Sequence, residues 1–425
     1  MKVKGLFDFI SATPTAFHTV DEIKRRLAQA GFSEFSESDC PEFTDGHGYF
    51  TTRNASSVIA FRYNKNSEGF MICASHSDTP AFRVKMNSEL SSAYERVAVE
   101  KYGGMIHYTW LDRPLSVAGR AVVETECGIK TVLVDLDRPV LSIPSVAIHL
   151  RRTVNDGVAL NPAVDMIPLV SDRGGRGISE LVAEKLGVNK NDILSHDLFV
   201  YVKEEPKLFG ADNEFVLSPR LDDAGCVYAS LDGFLSADAS SATPVLAVFD
   251  NEEVGSETKQ GASSTFLHDT LALIAKGDLR RMLGASFMVS ADNGHAVHPN
   301  HPELSDAKCA PVLNGGVVIK YNASQRYATD GVSSAVFEKI CKRASVPVQY
   351  YYNRADLPGG STLGSISDTK VSIPTVDIGL PELAMHSAVE TVGAKDVEAM
   401  VQALREFFSS ALIPTADGYN IAHGK

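Results

Sequence analysis

Long apolar runs are missing from this chain: none of its 425 residues lies in a stretch approaching the ~18 apolar residues that a membrane-spanning helix needs. An excess of basic residues is missing too, with 40 Lys and Arg against 53 Asp and Glu and a formal net charge of -13. That balance argues against nucleic acid or an anionic membrane as the main partner, since either calls for a basic face. The six cysteines show no CxxC spacing, and three lie inside apolar runs, so buried reduced thiols in a cytoplasmic protein are expected rather than a disulfide framework. The opening residues Met1 to Ile10 carry a charge at Asp8 and no apolar core, and do not read as a signal peptide. There is no internal repeat and no low-complexity segment.

What is present reads as globular, with 44% hydrophobic and 22% charged residues. The length exceeds what one hydrophobic core usually serves, so two structural units are expected. Leu6, Phe7 and Ile10, then Val20, Ile23 and Leu27, predict two amphipathic helices, followed by strands over 57–62 and 70–75. From about 90 to 205 short β-like runs dominate (97–100, 115–118, 131–135, 146–150), with a single helix over 178–186. Helices and strands then alternate: helix 223–235, strand 244–249, helix 264–275, strand 286–290, helix 333–344, strands 346–352 and 374–379, helix 396–409. The expected fold is α/β, a mostly parallel sheet sandwiched by helices (1–90 and 206–425) and interrupted by an inserted β-rich domain (91–205). The tail after Pro414 is expected to be only partly ordered.

The stretch Phe249-Asp-Asn-Glu-Glu-Val-Gly255 stands out, because two adjacent glutamates follow a buried-type strand. Neighbouring carboxylates in a partly desolvated pocket repel unless a cation neutralises them or one keeps a proton. Metal-assisted hydrolysis uses both outcomes, one carboxylate binding metal and its neighbour moving the water's proton. Other acids and histidines recur where strands or loops should end: His76 and Asp78, Asp222 in Arg220-Leu-Asp-Asp223, Asp292, and His386. In a parallel sheet such ends share one edge, so residues remote in sequence can meet there. Two histidines and three carboxylates form the ligand set of a two-metal hydrolase whose ions sit ~3.5–4 Å apart. Zinc suits this N/O mixture, with manganese or cobalt as alternative occupants.

The segments His76-Ser-Asp-Thr-Pro-Ala-Phe-Arg-Val-Lys85, Tyr102-Gly-Gly-Met-Ile-His-Tyr-Thr-Trp-Leu-Asp-Arg113, Arg220-Leu-Asp-Asp223, Asp250-Asn-Glu-Glu-Val-Gly-Ser256, Ser290-Ala-Asp-Asn-Gly-His-Ala-Val-His-Pro-Asn300, Gln325-Arg-Tyr-Ala-Thr329 and Leu383-Ala-Met-His-Ser387 together resemble the aspartyl aminopeptidase family of dinuclear zinc exopeptidases, over nearly the whole chain and in order. The resemblance implies two zinc ions per chain, with Asp222 bridging, His76 and Asp292 on one and Glu253 and His386 on the other. It implies Glu252 as general base and Asp78 as the partner that orients His76. His149, in Pro144-Ser-Val-Ala-Ile-His149, would reach a neighbouring subunit's active site and contact substrate or metal there. His295 would lie near the substrate and Lys320 would offer a cation to an acidic substrate side chain. By their residue type rather than the resemblance, Gly359 and Gly360 either place backbone N–H groups against a peptide carbonyl or carboxylate, since glycine allows close approach, or form a plain turn. The β-rich insert would drive dimer formation, and dimers would build a tetrahedral dodecamer that admits short peptides. The function so implied is removal of N-terminal Asp or Glu from peptides. The competing readings are an aminopeptidase for neutral residues such as Leu or for blocked N-termini, and a catalytically idle assembly or cargo protein.

Overall fold

Alternation along the apolar strands decides the architecture. A computed structural model of the chain describes residues 2–39 and 41–423; Cys40 lies outside them. The chain divides into two compact units, the first formed by Met1–Asp78, Pro206–Met385 and Glu390–Lys425, the second by Thr79–Glu205 with His386–Val389. Residues 79–90 therefore fall in the second unit.

In the first unit, strand Phe70–His76 sends Met71 and Cys73 into one hydrophobic layer and Phe70, Ile72 and Ala74 into the other. A strand buried on both faces reads as a continuous apolar run, and its period of two feeds two cores at once. Helices Lys2–Ala12, Ala16–Gln29, Leu221–Ser236, Gly331–Arg343 and Ala394–Phe408 supply one layer, and Phe266–Ala275 with Leu363–Asp368 the other. Between them lies a nine-stranded sheet in the order Ser33–Glu34, Gly48–Arg53, Ser57–Arg62, Thr243–Phe249, Phe70–His76, Phe287–Ala291, Thr375–Gly379, Val317–Tyr321, Val348–Tyr352. Five of its neighbour pairs are parallel and three antiparallel; three of the parallel pairs fill the centre and the other two lie at the outer edges. Among the described residues the largest fully buried side chains are all Phe apart from Lys320, whose ammonium is therefore buried as deeply as the aromatic core. Each such Phe contributes about 1.5–3 kcal/mol by leaving water, whereas a buried ammonium costs unless it is paired.

A second, five-stranded sheet of the same unit was not foreseen. Its order is Lys207–Phe209, Phe215–Ser218, Glu390–Gly393, Pro381–Leu383, Gly294–His295. These strands run two to four residues each, too short for a period to show in sequence. The tail past Pro414 also differs from expectation: Ser410–Thr415 and Gly418–His423 pair as an antiparallel hairpin, with Leu412 opposite Ile421 and both in contact with the main core.

The second unit holds a six-stranded antiparallel sheet, Gly128–Asp135, Leu115–Thr125, Ile193–Val202, Ala81–Ser91, Tyr94–Tyr102 and Leu169–Asp172, with helix Ile178–Leu186. The strand expected over 146–150 does not form. Val146, Ile148 and Leu150 are 40%, 45% and 83% exposed, so their alternation finds no face to bury and the segment stays a loop ending in a turn.

Among the described residues no cysteines are disulfide-bonded: Cys73, Cys226 and Cys341 are buried, Cys309 half-buried and Cys127 exposed. Burial pushes the Cys73 and Cys341 thiols up to about 12, which leaves them unreactive packing groups. Among the described residues no helix is long and apolar enough to cross a membrane.

Candidate metal centre

Strands Thr243–Phe249, Phe70–His76 and Phe287–Ala291 lie side by side and parallel, with Phe249 opposite His76 and Ser290 opposite Ala74. Their ends therefore deliver Glu252 and Glu253, His76 and Asp78, and Asp292 to one edge of the sheet. The glutamate turn follows from its local sequence. Asn251 (φ 65°) and Gly255 (φ 98°) take left-handed conformations around a single 3₁₀ turn, Glu252–Val254, and Asn and Gly tolerate that region better than other residues. The turn aims two N–H groups at one carboxylate: Glu252 donates to Asp78 Oδ1 at 3.1 Å and Glu253 to Asp78 Oδ2 at 3.2 Å.

Asp78 also faces His76. Its Oδ1 lies 3.4 Å from His76 Nδ1, and its backbone carbonyl 3.1 Å from the same nitrogen. The opposite ring nitrogen, Nε2, lies 3.3 Å from Asp222 Oδ1, and the His76 N–H donates to Asp223 Oδ2 at 3.2 Å. Asp222 and Asp223 open helix Leu221–Ser236 with non-helical backbone angles and a cis peptide bond between them. Donor atoms of His76, Asp222 and Asp223 come within 4.8 Å of one another, as do those of His76, Glu252 and Glu253.

Electrostatics shows what this arrangement demands. Burial raises Glu252, His76 pulls it back, and Asp292, Asp78 and Asp222 push it further, up to about 8. Asp292 is raised by burial against the pull of Lys320, and Asp223 is driven well above the usual carboxylate range by burial and by Asp292 and Asp222. Burial alone would lower the His76 imidazole, but Asp223, Asp222, Asp78 and Glu252 hold it well above its ordinary value. These acids hold protons more tightly than ordinary carboxylates because too little positive charge faces them. Carboxylate oxygens and one imidazole at this density fit a divalent cation such as zinc, which would displace those protons.

Asp292 sits beside Lys320, whose Nζ lies 3.5 Å from Asp292 Oδ1 and donates to the backbone carbonyls of Asp292 and Asn293 at 2.7 and 3.2 Å. Lys320 is 1% exposed, with Nζ 5.2 Å from the centroid of the Tyr327 ring. His295 is exposed, with its ring 6.0 Å from that of Tyr351, and it follows Gly294, which rests on the Lys320 stem. Gly359 and Gly360 occupy the loop between Tyr352 and Leu363. In the second unit, His386 places Nδ1 3.0 Å from the Gly104 carbonyl oxygen and accepts the Ile106 N–H at its own carbonyl. His149 of that unit stands exposed in a turn.

Sequence reasoning missed Asp223, Asn293, Glu382 and Glu390. Asn293 Nδ2 donates to Glu382 Oε2 at 2.6 Å and to the Leu221 carbonyl at 3.0 Å, and Glu390 Oε2 accepts the Asp222 N–H at 3.1 Å. Asp223 could have been found as the neighbour of Asp222. No local pattern marks Glu382 or Glu390, which the small sheet brings to the site.

The comparisons agree with this chemistry. The family described as "Aminopeptidase I zinc metalloprotease (M18)" matches residues 9–408. "Probable M18 family aminopeptidase 2" of Clostridium novyi (strain NT) is 43% identical over 422 residues, which cover 95% of this chain and 98% of that protein. Among solved structures, Ape4 in its complex with Nbr1 superposes with a TM-score of 0.93 at 35% identity, covering 96% of this chain and 85% of that one. The mApe1 dodecamer of S. cerevisiae superposes with a TM-score of 0.84 at 28% identity, covering 95% of each chain. The chain belongs to the M18 family of zinc metalloproteases and is an aminopeptidase, a hydrolase that removes residues from peptide N-termini.

Proposed function

We propose that the enzyme works with two zinc ions per chain, manganese or cobalt being alternative occupants, and that it prefers an acidic N-terminal residue on short peptides. The observation that carries the metal reading is the carboxylate cluster around His76, in which Glu252 is raised to about 8 and Asp223 and Asp292 are raised as well. Asp222 would bridge, His76 and Asp292 would hold one ion, and Glu253 with His386 the other. When bound, zinc supplies Lewis-acid polarisation of the scissile carbonyl and of the attacking water. Glu252 takes the water's proton and returns it to the leaving amine. Asp78 holds Glu252 and Glu253 by their N–H groups and His76 by its ring, so a single carboxylate orients base and ligands together.

Lys320 is the cation we assign to the substrate's acidic side chain, with exposed His295 near the substrate, and the 353–362 loop with Gly359 and Gly360 is assigned to its backbone. The burial of Lys320 and its bonds to two carbonyls favour a second reading, in which the charge serves Asp292 and the enzyme takes neutral residues such as Leu. Dodecamer formation with tetrahedral symmetry, directed by the insert, and a contribution of His149 to a neighbouring subunit follow from the family likeness and from the exposed apolar residues beside His149.

The test is hydrolysis of Asp-, Glu- and Leu-anilides with and without a chelator, beside metal content and native mass. Expected are two zinc per chain, a mass of twelve chains, activity abolished by chelation and a higher kcat/KM for Asp and Glu. Activity that survives chelation would sink the metal mechanism, and a higher kcat/KM for Leu would assign Lys320 to Asp292 alone.

A further inference from the structure

The peptide group that joins Leu221 to Asp222 is gripped from both ends. Its carbonyl oxygen accepts a hydrogen bond from Asn293 Nδ2 at 3.0 Å, and its N–H donates to Glu390 Oε2 at 3.1 Å. Both gripping residues are buried, Asn293 3% and Glu390 1% exposed. Asn293 is itself held, because Nδ2 also donates to Glu382 Oε2 at 2.6 Å while Oδ1 accepts from the Cys226 thiol at 3.1 Å. Glu382 and Glu390 stand on neighbouring antiparallel strands of the small sheet, where Glu382 pairs with Val392. The grip thus comes from two places: the residue after Asp292, and strands of the small sheet, two of which continue the chain just past the ends of Phe287–Ala291 and Thr375–Gly379.

A backbone peptide held at both its N–H and its C=O cannot rotate without breaking two buried hydrogen bonds, and a buried polar group left without its partner is costly. The rotation of that peptide sets where the Asp222 side chain leaves the backbone. Asp222 Oδ1 already meets His76 Nε2 at 3.3 Å, so a small swing would move the carboxylate out of the ligand set. Arg220, the residue before Leu221, has a left-handed φ of 60°, and Asp222 and Asp223 lack helical angles, so the helix does not itself impose their geometry. Side chains must do so.

We propose that Glu390 and Asn293, braced by Glu382, form a clamp on the Leu221–Asp222 peptide that positions Asp222 for metal binding; this rests on the reading of Asp222 as a zinc ligand. Glu390 and Asn293 are positioning residues and touch neither ion nor substrate. Partners of metal ligands in other sites change metal affinity by about 10–100-fold when removed, and that is the effect expected here.

The test is zinc affinity, measured by competition against a chelating dye on enzyme stripped and reloaded, for Glu390→Met, Glu390→Gln, Asn293→Ala and Asp222→Asn. Methionine fills the space of Glu390 but accepts no N–H, and should weaken zinc binding by about 10–100-fold. Glutamine keeps an acceptor oxygen and should bind zinc close to wild type, whereas a requirement for charge would weaken it and a requirement for bulk alone would leave Glu390→Met at wild type as well. Asn293→Ala, which frees the Leu221 carbonyl, should resemble Glu390→Met and decides the matter if Glu390→Met does not fold. Wild-type zinc affinity in folded Glu390→Met or in Asn293→Ala overturns the clamp. Wild-type affinity in Asp222→Asn overturns instead the reading of Asp222 as a ligand, so the two failures are separable.

Discussion

Removing the carboxylate of Asp78 isolates the residue on which three parts of the site converge. Asp78 accepts the N–H groups of Glu252 and Glu253 at 3.1 and 3.2 Å, one on each oxygen, and faces His76 Nδ1 at 3.4 Å. Hydrogen bonds to a charged acceptor contribute about 1.5–3 kcal/mol each. Asp78→Asn keeps one acceptor oxygen and turns the other into a donor that opposes an N–H, so it should lose roughly one bond, about 1.5–3 kcal/mol. Expressed as zinc binding, that is a weakening of about 10–100-fold, the usual effect of losing the carboxylate behind a metal-binding histidine. Asp78→Ala loses both bonds, and its zinc affinity should fall further, by about 10²–10⁴-fold if the whole loss reaches the metal site. The assay is dye-competition zinc affinity for both variants, with kcat measured at saturating zinc. Wild-type affinity and turnover in Asp78→Ala would refute the argument that one carboxylate organises the ligands and the base together.

The two adjacent glutamates should fail differently: Glu252→Gln should keep zinc while kcat falls by about 10²–10⁴, and Glu253→Gln should lose zinc. Equal metal content and equal turnover in the pair, read by elemental analysis and anilide hydrolysis, would remove the distinction. The metal-free enzyme should lose thermal stability as pH rises from about 5 to 9. Glu252 titrates near 8 instead of 4.5 and Asp250 near 7 instead of 3.8, both raised first by burial, so across that window the folded state holds protons that the unfolded chain has released. His76, held well above its ordinary value, has the same sign, its contribution being present at low pH and lost as pH rises. Glu22, where burial is outweighed by Arg25 and Arg26, has the opposite slope and acts below its ordinary 4.5. Added zinc should flatten the profile by replacing protons with a cation, and melting curves in chelator that rise from pH 5 to 8 would contradict this account.

Much of the site was legible because its parts are local. Asn251-Glu-Glu-Val-Gly255 contains the two residues that tolerate left-handed backbone and the two carboxylates between them, so the turn and its charges come from five consecutive positions. The apolar runs ending at His76, Phe249 and Ala291 were readable as buried strands, and parallel order then gathers whatever follows them. The pattern over 146–150 misled for the opposite reason, since alternation marks a strand only where something covers one face, and nothing within the described unit does.

Period and turn chemistry were thus enough for the α/β class, and residue types at strand ends for a set of metal-binding candidates whose individual roles came from the family resemblance. They could not say what Lys320 does, because a lysine in a strand looks the same whether it faces water or, as here, sends Nζ to the Asp292 and Asn293 carbonyls. Nor could they connect Glu390 with Asp222, 168 residues apart and joined by one hydrogen bond. Such contacts depend on which short strands pair in the small sheet, a choice made by burial and by satisfying buried polar groups across the whole fold and written in no single segment.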